Sequence, residues 1–448
     1  MTYAPHTDED RQAMLAALGL SSVEELFRDI PEEVRLRRPL DIPPGESEAA
    51  LRRRLGAMAR RNASADRYVC FLGGGVYDHY IPAAIPPLLS RGEFLTAYTP
   101  YQPEVSQGTL QSILEFQTMI CALTGMDVAN ASMYDGASAA AEAALMAVDM
   151  AGRDRLLAPR TVAPDVRETV RTYLSGRGYA LDEVEVDPAA GRLDPERLAD
   201  ALTDRHAAVI VGYPNFFGVV EDLAALAAVA HERGALLIAA CDPIALGIFE
   251  SPGALGADIV VGDGQALGNP MNFGGPSFGF FAAREAFLRR MPGRIAGRTV
   301  DRDGTPGCVL TLQTREQHIR RARATSNICT NNALNALAAT IYLSLLGPAG
   351  LREVAAACLQ NAHYAAERLE AAGARLAYRA PFFKEFLLEL PCPPEDVIRR
   401  GLERGILAGR SLRREYPELD RHLLVAVTEQ RTREEIEALA GIVEEAIR

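Results

Sequence analysis

Residues 207–242 read AAVIVGYPNFFGVVEDLAALAAVAHERGALLIAACD, and this stretch decides the predicted fold. It holds two short apolar runs, Ala207 to Pro214 and Ala235 to Asp242, on either side of an alanine-rich helical segment from Glu221 to Arg233. Buried strand, helix and buried strand form the repeating unit of a parallel sheet with right-handed crossovers. We therefore predict an α/β fold with a parallel-rich sheet.

The pattern continues on both sides of this unit. Downstream, Asp258 to Asp263 and Phe278 to Ala283 predict two more strands, and residues 331–448 predict a smaller C-terminal α/β domain with strands near 385–390 and 423–428. The first 65 residues predict a helical arm, with Thr7 as an N-cap and a capping box beginning at Ser22. The expected domains are 1–65, 66–330 and 331–448.

Composition narrows the function classes. A net charge of -12 on 448 residues argues against a nucleic-acid backbone as the main partner, because such binding needs a basic face. No apolar run long enough to span a bilayer and no signal-like start are evident, so we expect a cytoplasmic protein without membrane contact. The seven cysteines lack zinc-site spacing, and no metal site is predicted. All but one of the 47 basic residues are arginines, and the exception is Lys384.

Two segments indicate a cofactor pocket. Ligands of open α/β sheets bind at the carboxyl ends of the strands, where Asp242 lies, and a carboxylate there suits a protonated ring nitrogen. Gly136, Ala137 and Ser138 open an alanine-rich helix whose free N–H groups suit a phosphate. Either feature alone is also an ordinary strand end or helix cap, and both readings stay open at this point.

Four long motifs carry a family resemblance. They are YTPYQPEVSQG at 98–108, NASMYDG at 130–136, REQHIRR at 315–321 and ATSNICT at 324–330. With them the chain resembles the glycine cleavage system P-protein, and more specifically the α half of its two-chain form, along almost its whole length.

The resemblance implies a fold and a reaction. The fold is that of pyridoxal-phosphate-dependent transferases of fold type I. The reaction is the decarboxylation of glycine, followed by transfer of the aminomethyl group to the lipoyl group of H-protein. The resemblance also implies an α2β2 complex in which the β subunit carries pyridoxal phosphate on a lysine.

The chain departs from the family pattern where that lysine is expected. Aligning the glycine-rich loop on Gly274 to Pro276 puts Gln265 at the lysine position, and an amide nitrogen cannot condense with an aldehyde as an amine does. Ala163 stands where many relatives carry a histidine that stacks on the cofactor. Lys384 is the one alternative amine, although an exposed or ion-paired lysine is its plainer interpretation. We expect this chain alone to be inactive and to hold no covalent cofactor.

The retained motifs then need other roles. Six polar and aromatic residues on loops are candidates for the wall of the partner's active site, namely Tyr77, His79, Tyr98, Thr99, Tyr101 and Gln102. Four residues are candidates for docking an anionic group or an acidic carrier, namely Arg315, His318, Arg320 and Arg321. Packing between subunits explains both sets equally well. Two alternatives remain: a purely structural or regulatory pseudoenzyme subunit, and a self-sufficient pyridoxal-phosphate enzyme that uses Lys384.

Overall fold

A computed structural model describes residues 5–448, and the chain divides into two compact units, with the division between Ala63 and Ser64. The first unit contains helices α1 (Asp8–Ala17) and α2 (Glu48–Ala59). Thr7 caps α1 through a capping box with Asp10, as the sequence predicts. The capping box expected at Ser22 is absent, because Glu25 accepts a hydrogen bond from Ser21 N at 2.9 Å instead. A five-residue 3-10 turn stands there in place of a helix.

None of the described side chains of this arm is buried. Its exposed large apolar residues are Met14, Leu18, Val23, Leu26, Phe27, Ile30, Val34, Leu36, Leu40, Ile42, Leu51, Leu55 and Met58. Isolated short helices gain little stability from propensity alone and depend on packing of an apolar face. The arm therefore has no core of its own within the described residues.

Strands and helices alternate along the large α/β region. In chain order they are β1 (Val69–Cys70), α3 (Ile85–Leu89), α4 (Gly92–Leu95), α5 (Gln107–Thr124), β2 (Val128–Ala129), α6 (Gly136–Ala151), β3 (Arg155–Pro159), α7 (Pro164–Ser175), β4 (Ala180–Val184), α8 (Pro195–Ala201), β5 (His206–Tyr213), α9 (Leu223–Glu232), β6 (Leu236–Cys241), β7 (Ile259–Asp263), β8 (Gly279–Ala283), β9 (Ile295–Val300), β10 (Pro306–Thr311) and α10 (Gln317–Arg320). The strands and helix predicted between 207 and 283 appear within two residues of their expected limits.

The central sheet has seven strands in the order β2-β8-β7-β6-β5-β3-β4. Strands β4, β3, β5, β6 and β7 run parallel, and β8 and β2 add two antiparallel pairings at one edge. All eight residues of β5 are buried, as expected for a strand covered by helices on both faces. The predicted parallel-rich sheet is confirmed.

A second, antiparallel sheet forms in the C-terminal region. Its elements, in chain order, are α11 (Ala333–Ala371), β11 (Arg375–Leu376), β12 (Glu385–Glu389), α12 (Pro394–Glu403), β13 (Ile406–Leu407), β14 (Arg410–Ser411), β15 (His422–Ala426) and α13 (Arg433–Ile447). Four of the strands form the order β11-β12-β15-β14. Gly347, with φ 59° and ψ -176°, breaks α11 just before Pro348.

By length and composition, α11 is the one helix among the described residues that meets the requirement for crossing a membrane. Its first half packs in the protein core, where Ala336, Ala339 and Tyr342 are buried. In all, 33% of its apolar segment is buried, and Gly347 interrupts the helix.

The two sheets are joined closely. Phe383 N donates to Gly218 O at 3.1 Å and Val220 N donates to Pro381 O at 2.9 Å. Strand β1 pairs in parallel with β13 as a separate two-stranded sheet. The domain boundary expected between 330 and 331 therefore falls inside one compact unit. These contacts bring the start of β12 against the carboxyl ends of the central strands.

Candidate functional site

The main cavity, of about 540 Å³, opens at the carboxyl ends of β6 and β7. Four of the five predicted pocket residues line it, namely Gly136, Ala137, Asp242 and Gln265. Ser138 is buried beside it and serves the helix cap, since its N–H donates to Asp135 Oδ1 at 2.7 Å. Separate elements of the sequence thus meet in one pocket, as the strand-end rule predicts.

The N-terminus of α6 already holds a carboxylate of its own chain. Gly136 N donates to Asp263 Oδ2 at 3.1 Å, while Asp263 Oδ1 accepts from Ser277 Oγ at 2.6 Å and from Gln265 N at 2.9 Å. Burial raises the pKa of Asp263, and these hydrogen bonds oppose that rise. A Cβ on Gly136 would lie 2.6 Å from Asp263 N, so only glycine permits this approach.

Gln265 is held in place by main-chain groups. Its Oε1 accepts from Tyr77 N at 2.9 Å, and its Nε2 donates to Tyr77 O at 3.1 Å and to Asn269 O at 2.8 Å. The Gln265 side chain thereby links the loop that contains Gly75 and Tyr77 to the pocket. Neither Gln265 nor its neighbour Ala266, which also lines the cavity, offers an amine.

Asp242 faces the chain's single lysine. Lys384 Nζ lies 2.6 Å from Asp242 Oδ2 and only 1% of the lysine side chain is exposed. The ammonium also lies 3.7 Å from the centre of the Tyr77 ring. Of the two plain expectations for this lysine, ion pairing is confirmed and exposure is wrong, because β12 begins inside the contact between the two sheets.

A hydrogen-bonded chain extends from Lys384. Its ammonium donates to His79 Nε2 at 2.8 Å, so Nδ1 of the neutral ring carries the proton and donates to Glu429 Oε2 at 2.7 Å. Burial, together with the neighbouring ammonium, lowers the pKa of His79. Burial opposes ionisation of Glu429, but hydrogen bonds from His79 and from Tyr80 N prevail and lower its pKa.

The same network includes Glu385, the residue after the lysine. Tyr77 Oη donates to Glu385 Oε2 at 2.9 Å and Gly74 N donates to Oε1 at 2.6 Å. Burial raises the pKa of Glu385 to about 7, although both hydrogen bonds favour the carboxylate. The polar side chains of this pocket wall therefore form hydrogen bonds within the chain.

Three donor atoms, from His79, Cys358 and Glu429, lie within 4.8 Å of one another and form the only such group found among residues 5–448. Both ring nitrogens of His79 are hydrogen bonded, and Cys358 Sγ lies 3.3 Å from Glu429 Oε2. The group is satisfied by its own hydrogen bonds.

Pyridoxal phosphate, which the resemblance implies for the complex, does not fit this pocket. The position expected for its lysine holds Gln265. Gly136 N, one of the helix donors that suit its phosphate, is bonded to Asp263. The carboxylate that suits its ring nitrogen is paired with Lys384, and Ala163 lines the cavity without a ring to stack on it. No chemical step is therefore assigned to that cofactor in this chain.

The six predicted wall residues fall into two groups. Tyr77 and His79 lie inside the network just described. Tyr98, Thr99, Tyr101 and Gln102 lie on a loop outside the main cavity, and the Tyr98 residue is 81% exposed. Tyr98 and Thr99 line a separate recess of about 330 Å³. Tyr101 Oη accepts from Arg294 Nη2 at 2.9 Å, which ties this loop to the body of the protein.

The four predicted docking residues are also divided. Arg315 is buried and donates to the carbonyl oxygens of Met291, of Gly293 at 2.9 Å and of Leu312 at 3.1 Å, so its charge is not presented to a partner. His318, Arg320 and Arg321 are exposed. Burial of Arg315 has a physical reason, because a guanidinium can satisfy several main-chain carbonyls at once.

Sequence reasoning missed the roles of Asp263 and Glu429. Asp263 stands between two glycines at a strand end, which marks it as a pocket residue. Its partner Gly136 lies 127 residues away, and no local pattern indicates that pair. Glu429 lies three residues after the end of β15 and carries no distinguishing motif.

Comparisons with known proteins agree with this architecture. The family model described as glycine cleavage system P-protein matches residues 1–443. A probable glycine dehydrogenase (decarboxylating) subunit 1 from Carboxydothermus hydrogenoformans is 54% identical over 442 residues, covering 99% of each chain.

Solved structures agree as well. A crystal structure of glycine decarboxylase (P-protein) of the glycine cleavage system, in inhibitor-bound form, matches with a TM-score of 0.91 and 46% identity over the full length of both chains. A sphingosine-1-phosphate lyase from Burkholderia pseudomallei, 17% identical with a TM-score of 0.67 and 92% coverage of each chain, shares the fold alone. The expected fold class is confirmed. The chain therefore belongs to the glycine cleavage system P-protein family, among relatives named as subunit 1 of glycine dehydrogenase (decarboxylating).

Proposed function

We propose that this chain is the non-catalytic α subunit of a cytoplasmic α2β2 glycine decarboxylase. The β partner carries pyridoxal phosphate on its own lysine, and the cofactor acts there as the electron sink for decarboxylation. Glycine loses carbon dioxide at the partner's site, and the aminomethyl group passes to the lipoyl group of H-protein. This chain supplies a wall of that site and part of the carrier's docking surface.

The observation that carries the proposal is the lack of a free amine in the pocket among the described residues. Gln265 uses both amide atoms in hydrogen bonds, and Lys384 is ion paired with Asp242 at 2.6 Å. An ammonium has no lone pair with which to attack an aldehyde. The chain therefore has no free amine at the place where the reaction needs one.

The outward-facing loop supports the wall role. Tyr98 and Gln102 are exposed on a loop whose base is fixed by the Arg294 to Tyr101 hydrogen bond. A fixed loop with an aromatic and an amide group suits the task of orienting a small zwitterion and excluding water. Neither Tyr98 nor Gln102 lines the main cavity of this chain.

The basic surface supports carrier docking. Arg320, Arg321 and Arg323 are exposed, and none of the three forms an ion pair with any described residue. His318 lies beside them, with Nδ1 3.8 Å from Glu316 Oε2. Unpaired arginines on a protein with a net charge of -12 favour an acidic partner such as lipoylated H-protein.

Reconstitution tests the proposal. Glycine-dependent exchange of labelled bicarbonate is measured with this chain alone, with the β partner alone, and with both at equal concentration. We expect exchange only in the mixture, and a partner that carries lysine-bound cofactor before mixing. Exchange by this chain alone at the rate of the mixture would refute the proposal.

Two alternatives give different results in the same assay. A self-sufficient enzyme based on Lys384 requires activity without the partner, and the buried ion pair argues against it. A purely structural or regulatory subunit predicts that replacing Tyr98 and Gln102 leaves turnover of the complex unchanged. The exposed, anchored loop favours the wall role over this second alternative.

A further inference from the structure

The cavity, of about 540 Å³, has the volume of a small-molecule site, but its lining is acidic. Four carboxylates line it, from Asp135, Asp165, Asp242 and Asp263, and neither lysine nor arginine lines it among the described residues. A phosphate carries up to two negative charges, and like charges in a partly buried site repel strongly. Lys384 pairs with only one of the four carboxylates, that of Asp242, so the lining disfavours a phosphate even apart from the missing Schiff-base lysine.

Two of the chain's own side chains stand where an anionic cofactor with a cationic ring would make its contacts. Asp263 accepts a hydrogen bond from Gly136 N at the start of α6. A phosphate at this helix end would use the same N–H group. Lys384 forms an ion pair with the carboxylate of Asp242. A pyridinium would use the same carboxylate. Ser277 Oγ and Gln265 N donate hydrogen bonds to Asp263, and Lys384 donates one to His79. These further hydrogen bonds fix both side chains in place.

We propose that this pocket is self-ligated: the Asp263 carboxylate and the Lys384 ammonium replace the phosphate and the ring cation of a pyridoxal phosphate. Self-ligation closes the site to anionic ligands independently of the missing lysine. Because Asp242 follows β6 and Lys384 precedes β12, the same ion pair also fastens the small sheet to the large one. Self-ligation of this chain's own pocket does not depend on whether this chain also completes the partner's site.

The two contacts are separable by substitution and by ligand. Asp263→Ser removes the carboxylate and frees Gly136 N, whereas Asp263→Asn removes the charge but leaves an oxygen able to accept from Gly136. Lys384→Met frees Asp242. Lys384→Gln removes the charge and still donates a hydrogen bond to Asp242, so it remains testable if the methionine variant fails to fold.

Equilibrium dialysis of the purified chain with three probes measures the result. The probes are pyridoxal phosphate, pyridoxal, which has the ring without phosphate, and inorganic phosphate, which has no ring. We expect the wild-type chain to bind none of them measurably at millimolar concentration. Asp263→Ser should gain at least tenfold in affinity for phosphate and for pyridoxal phosphate, with no gain for pyridoxal. The Lys384 variants should gain for pyridoxal and pyridoxal phosphate, with no gain for phosphate.

Arg375→Met is the matched control, because it removes an exposed, ion-paired cation from the same small sheet. It should gain affinity for none of the probes. Micromolar binding of pyridoxal phosphate by the wild-type chain would overturn the proposal. So would a folded Asp263→Ser variant that binds phosphate no better than wild type.

Discussion

The interior pocket and the 98–102 loop treat their polar groups in opposite ways. In the pocket, Asp263, Gln265 and Lys384 all have close partners within the chain. On the loop, Tyr98 and Gln102 are exposed, and only the anchor at Tyr101 is tied down. Buried polar groups must find partners in their own chain, whereas exposed groups remain available to another. The comparison leads us to expect that this chain's functional chemistry faces outward.

Deletion of the helical arm should have the largest effect on assembly, because the arm exposes many apolar side chains. At least a dozen large apolar side chains of the arm are partly exposed, and burying the exposed part of each contributes at most about 1.5–3 kcal/mol. Deleting residues 1–63 should therefore abolish the tetramer and give smaller species on a sizing column. An intact tetramer after deletion would show that the arm serves another purpose.

Breaking the ion pair inside the pocket should destabilise the larger unit more than breaking an exposed ion pair. Removing one partner of a buried pair costs about 3–5 kcal/mol, because it leaves an uncompensated charge. Lys384→Met should lower the free energy of unfolding in urea by that amount, and Lys384→Gln by less. Arg375→Met, at an exposed pair, should change it little. Equal effects of the two methionine variants would remove the contrast between interior and surface.

A buried acid behind the pocket wall gives a pH signature. Glu221 accepts from Asn215 Nδ2 at 2.8 Å and from Leu193 N at 2.9 Å, and burial raises its pKa to about 7. Because the folded pKa lies above the unfolded value, the stabilisation is complete below about pH 4.5 and is lost as pH rises through 7. Glu221→Gln should flatten the fall in unfolding free energy between pH 5 and 8 by on the order of 2 kcal/mol. An unchanged slope would contradict this assignment.

The loop should affect turnover more than assembly. Replacing Tyr98 and Gln102 together by alanine should lower bicarbonate exchange of the complex about tenfold, or roughly 1.4 kcal/mol in activation free energy. The complex should keep its size on a column, because the anchor at Tyr101 is untouched. Val105→Ala, at another exposed position nearby, is the control and should have full activity. Unchanged turnover of the double variant would exclude these residues from the partner's site.

The sequence predicted the frame of the molecule better than its contacts. Strands β5 and β6 and helix α9 follow from local apolar patterns, and Asp242 follows from its place at a strand end. The pairing of Lys384 with Asp242 joins residues 142 positions apart and depends on how the two sheets meet. The burial of Arg315 likewise depends on carbonyls more than twenty positions upstream. Long-range contacts of this kind leave no periodic signal.

The location of the cofactor in the assembled complex tests the central claim most directly. Borohydride reduction of the complex without glycine fixes the cofactor to whichever lysine holds it, and peptide mass spectrometry then identifies that lysine. We predict that all of the reduced cofactor is found on the β partner and none on Lys384. Cofactor attached to Lys384 in amounts comparable to the β lysine would contradict the account.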